Sequence, residues 1–295
     1  MAAQQLLIDQ ALLEKLERLT LHWQKSFPGL VGGRNASRFS GPGQEFLDHR
    51  HFHQGDDYRA VNWRAFLRLE KLLLKLFQVE PRIPVRILID SSASMGTGEV
   101  PKFNYACKLA AALTYVGLVR LDTVCLQAFS DTLAGSCNCG GGRHRFLPAV
   151  HFLNDLQLSG SSNFLQVARQ FSSNYPQRGL VVIVSDFLDE NDPEKPLQYI
   201  ADLGHELLLV HIWAPEDREP PWTGELDLVD AESGVHLEID ANDQTRAAYT
   251  KAFDDYAKRL QTLAMRTGGR YVGLPANIPV EEAIFGPVMR VGGLQ

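Results

Sequence analysis

Cysteine is scarce in this 295-residue sequence, with four residues at positions 107, 125, 137 and 139. They are too few and too scattered for a disulfide framework in a chain of this length. Cys137-Asn-Cys139 has a single intervening residue and no second cysteine pair, so it lacks the usual spacing of a zinc site. Long apolar runs are also missing. Ala110–Val119 and Leu180–Val184 fall far short of the roughly 20 residues that a membrane-spanning helix needs. The opening MAAQQLLIDQALLEKLERL has no basic leader and sets acidic residues inside its apolar pattern, so it does not read as a signal peptide. Positive charge is not in excess: the net charge of −6 argues against nucleic acid or an anionic membrane as the partner. These absences lead us to expect a reduced, cytoplasmic protein.

What is present is an alternation of strands and helices. Residues 5–25 predict an amphipathic helix, with Ile8, Leu12, Leu16 and Leu19 at three- and four-residue steps. Residues 29–43, rich in Gly, Ser and Arg, read as loop. The block EFLDHRHFHQGDDYRAVNWRAF fits neither helical nor strand periodicity over a useful length, and Leu72–Val79 is strand-like. Val85–Ile89, Thr123–Phe129, Leu180–Ser185, Glu206–Trp213 and Arg270–Val272 predict strands, the first being the β-branched kind buried in parallel sheets. Helices are expected from Pro101 to about Gly117 and over Asn163–Ser173, Pro196–Leu203 and Asn242–Thr267. Gly135–Gly142 reads as a loop, and Glu225–Val229 with Val235–Ile239 as a β-hairpin. The pattern predicts an α/β fold with a doubly wound, mostly parallel sheet in residues 83–295. An N-terminal extension, residues 1–82, would pack on it. Ligands of such sheets bind beyond the C-terminal strand ends.

Oxygen-bearing side chains gather at those ends. Strand Val85–Ile89 runs into Asp90-Ser91-Ser92-Ala93-Ser94, where hydroxyls at alternate positions follow a carboxylate. Gly160-Ser161-Ser162-Asn163 adds a hydroxyl at a loop-to-helix junction, and Ser185-Asp186 adds a second carboxylate after a strand. Hard oxygen ligands of this kind suit Mg2+ in octahedral geometry. The bland alternative is that the serines only cap the next helix.

Asp90, Ser92 and Ser94 match the D-x-S-x-S motif, and the chain here resembles von Willebrand factor A domains. Ser162 falls where those domains place a threonine, and Asp186 where they place a later aspartate. The resemblance implies a metal-ion-dependent adhesion site. Its three hydroxyls would coordinate Mg2+ (or Mn2+ or Ca2+) directly, and its aspartates directly or through water. One position would be left for a carboxylate of a protein partner. Ser162 keeps the hydroxyl of the usual threonine but drops a methyl that helps fix the rotamer. Asn163 stands where many relatives have aspartate.

Upstream, Gly55-Asp56-Asp57-Tyr58-Arg59 and Asn62-Trp63-Arg64, read with Glu45-Phe46, Arg50 and Phe52, resemble the bacterial family named domain of unknown function 58. Specific motifs carry that likeness over roughly residues 30 to 190. Asn62 stands where aspartate is common and Phe52 where tyrosine is. Arg50, Asp56, Asp57, Arg59 and Arg64 around Trp63 are expected to form either a buried, hydrogen-bonded ion cluster or a recognition surface. His49, His51 and His53 would share one face of an extended strand, an awkward arrangement around a tetrahedral ion.

A haloacid dehalogenase-like phosphatase would need an acid two residues after Asp90, where Ser92 stands. Ser94 sits in no G-x-S-x-G elbow, and no G-x-x-x-x-G-K-[ST] loop occurs. Metal-assisted hydrolysis by Asp90 and Asp186 stays open, as does a scaffold in which a metal merely stiffens the loop. The expectation is a protein–protein interaction module without catalytic residues. The family resemblance implies a MoxR-type AAA+ ATPase as its partner, with a chaperone-like role in assembling or activating other proteins.

Overall fold

The computed structural model describes residues 9–21, 46–54, 56, 58, 61–77, 84–189 and 191–294. The chain divides into two compact units, residues 26–82 and residues 1–25 with 83–295. The N-terminal helix therefore groups with the main sheet rather than with the polar-aromatic segment.

In the smaller unit, β1 (Phe46–His51) pairs antiparallel with β2 (Leu73–Phe77), and α2 (Trp63–Leu69) lies between them in sequence. Both β1 and α2 arise from the block that reads as irregular in sequence. They are six and seven residues long, too short for a periodicity to register. Asn62 starts α2 by accepting a hydrogen bond from Ala65 N at 3.3 Å, a capping role for which its short amide side chain is suited.

The larger unit opens with α1 (Gln10–Leu16), capped by Asp9. It is shorter than the periodicity predicts: its last residue is Leu16, and Leu21 pairs as an isolated bridge with Leu294. Residues 5–8 and 22–25 of the expected helix lie outside the described residues. The elements that follow are β3 (Pro84–Asp90), α3 (Lys102–Val119), β4 (Thr123–Phe129), β5 (Leu133–Cys139), α4 (Phe146–Asp155), α5 (Phe164–Asn174), β6 (Leu180–Ser185), α6 (Glu194–Asp202), β7 (Glu206–Trp213), α7 (Pro215–Arg218), β8 (Gly224–Val229), β9 (His236–Ala241), α8 (Asp243–Arg266), β10 (Arg270–Pro275) and α9 (Val280–Ala283).

Six strands form one sheet in the order β10-β7-β6-β3-β4-β5, parallel throughout except for β5. The expected mostly parallel α/β sheet is therefore present. Both faces of its inner strands are buried, so alternate residues feed two cores. Val85, Ile87 and Ile89 of β3 join the side that includes α1 and α3, and Leu88 joins the side that includes α5, α6 and α8. The predicted loop at Gly135–Gly142 is instead largely strand β5. At the sheet edge, mostly solvent-facing positions accept Gly, Ser and Asn, and pairing to β4 overrides their weak strand propensity.

The winding sets the position of the site. From β3 the chain moves to β4 on one side, and after α5 it returns to enter β6 on the other side of β3. Neighbouring strands β3 and β6 thus send their connections in opposite directions, which opens a crevice beyond their C-terminal ends. Asp90 is the last residue of β3, and Asp186 directly follows β6.

Candidate metal centre

Asp90, at the C-terminal end of β3, is fully buried. Its Oδ1 accepts from Ser92 N at 2.9 Å. Its Oδ2 accepts from Ser185 Oγ at 2.5 Å and from Ser162 Oγ at 3.4 Å. Ser92 Oγ and Ser94 Oγ lie 3.0 Å apart, and Ser94 Oγ donates to Asp186 Oδ1 at 3.5 Å. Ser92, Ser94, Ser162 and Asp186 are all buried. Three separate loops thus bring all five predicted residues into one hydrogen-bonded cluster. Ser91, between Asp90 and Ser92, turns the other way and donates its hydroxyl to Phe129 O at 2.9 Å.

Backbone bonds hold the loops together. Ala93 N donates to Gly160 O at 3.0 Å and Ser159 N to Ser91 O at 2.8 Å, which stitches the loop before α5 to the loop after β3. Gly160, at φ +74°, takes the left-handed conformation that this turn requires. Asn163 is the N-cap of α5 and accepts from Gln166 N at 3.0 Å, so its amide serves the helix. The helix-capping explanation therefore fits Asn163, while Ser92 makes no side-chain cap.

Lys102, in the first turn of α3, is fully buried. Its ammonium donates to Asp186 Oδ2 at 2.9 Å and pairs with Asp217 Oδ2 at 3.0 Å. Burial pulls the Lys102 ammonium down, but Asp186 and then Asp217 outweigh it and hold its pKa above the usual value. Burial, and then the like charge of Asp186, push the Asp90 carboxyl up to about 7, against the hydrogen bonds from Ser185 and Ser92.

Sequence reasoning missed Lys102, Asp217 and the role of Ser185. One signal was there to find: a basic residue in the first turn of a largely apolar helix opposes the helix dipole and wants a carboxylate partner. Ser185 was visible only as the neighbour of Asp186.

The donor set is all oxygen, two carboxylates and three hydroxyls, which matches a hard divalent cation better than a soft one. Among the described residues, no group of three or more His, Cys, Asp or Glu side chains is placed to hold a metal. A cation here would therefore rest on the serine hydroxyls as well as on Asp90 and Asp186. With Asp186 Oδ2 taken by Lys102, its Oδ1 is the oxygen left to face the hydroxyls.

In the smaller unit, Arg50 grips Asp56 with two 2.8 Å bonds, and Asp56 also accepts from His53 N at 2.8 Å. Trp63 is 54% exposed and packs edge-to-face on Phe66, and Arg64 is exposed. Among the described residues of the expected cluster or recognition surface, Arg50 and Asp56 form an ion pair, and Trp63 and Arg64 are exposed. Asp57 and Arg59 lie outside the described residues. Of the alternating histidines, His49 Nε2 meets Asn62 Nδ2 at 2.7 Å, and His53 Nδ1 lies 3.0 Å from His51 O.

A family model described as protein of unknown function DUF58 matches residues 48–259. The chain belongs to this family. The match begins inside β1 and runs into α8, so it takes in the Arg50–Asp56 pair together with every residue of the cluster around Asp90. Two similar proteins are the uncharacterized proteins Rv1480 of Mycobacterium tuberculosis and Mb1516 of Mycobacterium bovis. Each is 26% identical over 249 residues, covering 83% of this chain and 78% of the relative. MAV169 of Mycobacterium avium is 41% identical over a shorter stretch of 76 residues, 26% of this chain and 44% of its own length. Among solved structures, the conserved hypothetical protein BatB from Bacteroides thetaiotaomicron aligns with a TM-score of 0.43 at 14% identity, over 71% of this chain and 98% of that one. The pilus adhesin SpaC from Lactobacillus rhamnosus GG aligns with a TM-score of 0.46 at 11% identity, over 74% and 31%.

Proposed function

We propose that residues 83–295 of this DUF58 protein form a von Willebrand factor A-type domain with a metal-ion-dependent adhesion site. The site binds Mg2+, or Mn2+ or Ca2+ in its place, and uses it to grip a carboxylate on a protein partner. The observation that carries the reading is the convergence of Asp90, Ser92, Ser94, Ser162 and Asp186 from three loops onto one buried cluster at the sheet's switch point. Ser92, Ser94 and Ser162 supply direct hydroxyl ligands. Asp90 and Asp186, the latter anchored by Lys102, would supply charge, directly or through water. The cation's chemistry is that of a Lewis acid binding an anionic oxygen. The protein's part is to hold the hydroxyls in place around Asp90, whose charge a bound cation would favour.

On this reading the chain is an adaptor without catalytic residues. The family resemblance points to a MoxR-type AAA+ ATPase as partner, with ATP chemistry on the ATPase side and a chaperone-like outcome for other proteins. Among the described residues no helix is long and apolar enough to cross a membrane. We infer a cytoplasmic setting, in keeping with the free cysteines. The deciding experiment titrates Mg2+ and Mn2+ calorimetrically into wild type and Asp90→Ala, then captures a purified MoxR-type ATPase with each protein in Mg2+ and in EDTA. Binding of metal and ATPase by wild type in Mg2+ alone supports the reading. ATPase capture that ignores EDTA and Asp90→Ala overturns the metal bridge.

A further inference from the structure

A third carboxylate reaches the cluster from a part of the chain that the reading above does not use. The β8–β9 hairpin turns through residues 230–235, and Asp230 braces the turn. Its Oδ1 accepts from Glu232 N at 3.0 Å, from Ser233 N at 2.5 Å and from Ser233 Oγ at 2.7 Å, while its own N–H donates to Val235 O at 2.9 Å. The braced tip presents Glu232. Its Oε2 accepts from Ser162 N at 3.0 Å, a contact between residues 70 apart in sequence. Its Oε1 is buried and has no hydrogen-bond partner. An ionised oxygen taken out of water without a donor is unfavourable, and a cation beside it would relieve that cost. The same Ser162 that donates its N–H to Glu232 turns its hydroxyl toward Asp90.

We propose that Glu232, held at Ser162 N in the metal-free chain rather than grouped with Asp90 and Asp186, becomes the chain's own carboxylate for the cation's open position when metal binds, so that the β8–β9 hairpin closes the site until a partner's acidic side chain displaces it. The inference rests on the metal reading above. The hairpin is suited to leaving: β8 and β9 pair with each other and with no other described strand, and nine of their twelve residues are exposed. An element with so few buried contacts separates from the fold at low cost. When it leaves, it releases Ser162 N, and Val229, Val235 and Leu237 on either side of the turn are already exposed to the incoming protein. A partner must therefore outcompete an internal acid, which makes metal occupancy alone insufficient for capture.

Glu232→Gln separates this role from simple capping of Ser162, because the amide oxygen still accepts from Ser162 N while the charge is gone. Mn2+ is titrated calorimetrically into full-length wild type, Glu232→Gln and Asp90→Ala. Hydrogen exchange of residues 230–235 is followed in wild type and Glu232→Gln with and without Mn2+. Expected are slower exchange at the turn on adding Mn2+ to wild type, no such slowing in Glu232→Gln, and Mn2+ affinity about tenfold or more weaker in Glu232→Gln. Equal Mn2+ affinity in wild type and Glu232→Gln, with turn exchange indifferent to metal, overturns the role of Glu232 and leaves the metal site standing. Absence of Mn2+ binding to wild type overturns both.

Discussion

Lys102 Nζ lies 2.9 Å from Asp186 Oδ2, and both side chains are 1% exposed. An ion pair this deep is maintained by mutual need: either charge alone would be strongly unfavourable there. Lys102 also opposes the dipole of α3, so the carboxylates of Asp186 and Asp217 are what keep it in place.

Replacing Lys102 with Met keeps much of the apolar stem and removes the charge. Asp186 is then buried without compensation, and the metal-free protein is expected to lose about 3–5 kcal/mol in urea unfolding in EDTA. A divalent cation offers substitute charge, so millimolar Mg2+ should restore more stability to Lys102→Met than it adds to wild type. Equal stability of the two proteins in EDTA would show that the pair contributes nothing net.

Asp90 makes stability depend on pH in a direction that can be worked out. Its folded carboxyl sits at about 7, above the ordinary 3.8, because burial and then Asp186 disfavour its charge. Between those values the folded state holds a proton that the unfolded chain has released. This group's contribution therefore falls as pH rises from about 4 to about 7, by at most roughly 1.4 kcal/mol per pH unit. Metal-free wild type should lose stability relative to Asp90→Asn between pH 5 and pH 8, measured as urea midpoints in EDTA. Metal requires the ionised carboxylate, so Mg2+ affinity should weaken as pH drops below about 7. A wild type and Asp90→Asn that track each other across the range would place the Asp90 pKa near its ordinary value.

Ser162 is 6% exposed, and its hydroxyl points to Asp90. Ser162→Ala removes an oxygen from the cluster and is expected to weaken Mn2+ binding about tenfold or more. Ser162→Thr restores the hydroxyl and adds a β-branch that restricts χ1, so it should bind at least as tightly as wild type. Calorimetry on the three proteins decides it. Ser162→Ala binding as well as wild type would remove this hydroxyl from the ligand set.

These residues differ in how far the sequence alone reveals them. Asp90 ends, and Asp186 directly follows, a short and mostly apolar strand, and that change of polarity at a strand end is a local signal. The parallel strands were legible for the same reason, being buried on both faces. Strand β5 was not, because its pairing with β4 and its exposed edge, not its own residues, make it a strand. Lys102 and Glu232 find their partners 84 and 70 residues away, and no spacing rule carries such contacts. The Arg50–Asp56 pair could be read from the polar block, but the exposure of Trp63 could not. Interleaved aromatic and charged residues are equally compatible with a buried cluster and with a surface.

Gly98 links the loop after β3 to the Lys102 pair. It adopts φ +96°, and a Cβ there would lie 2.6 Å from the Cβ of Ala214. Ala214 is buried, and its N–H donates to Asp217 Oδ2 at 2.9 Å, an oxygen that also holds Lys102 at 3.0 Å. Gly98→Ala thus combines a conformation disfavoured for an L-residue with a clash against a methyl that cannot rotate away. Its expected loss is about 1–3 kcal/mol in urea unfolding. Ala214→Gly removes the opposing methyl, so Gly98→Ala/Ala214→Gly should recover the clash component but keep the backbone strain. The two changes are therefore expected to be less damaging together than their separate losses predict. Strict additivity in that double-mutant cycle would mean that the two positions do not press on each other, and that the loop reaches the Lys102 pair by some other route.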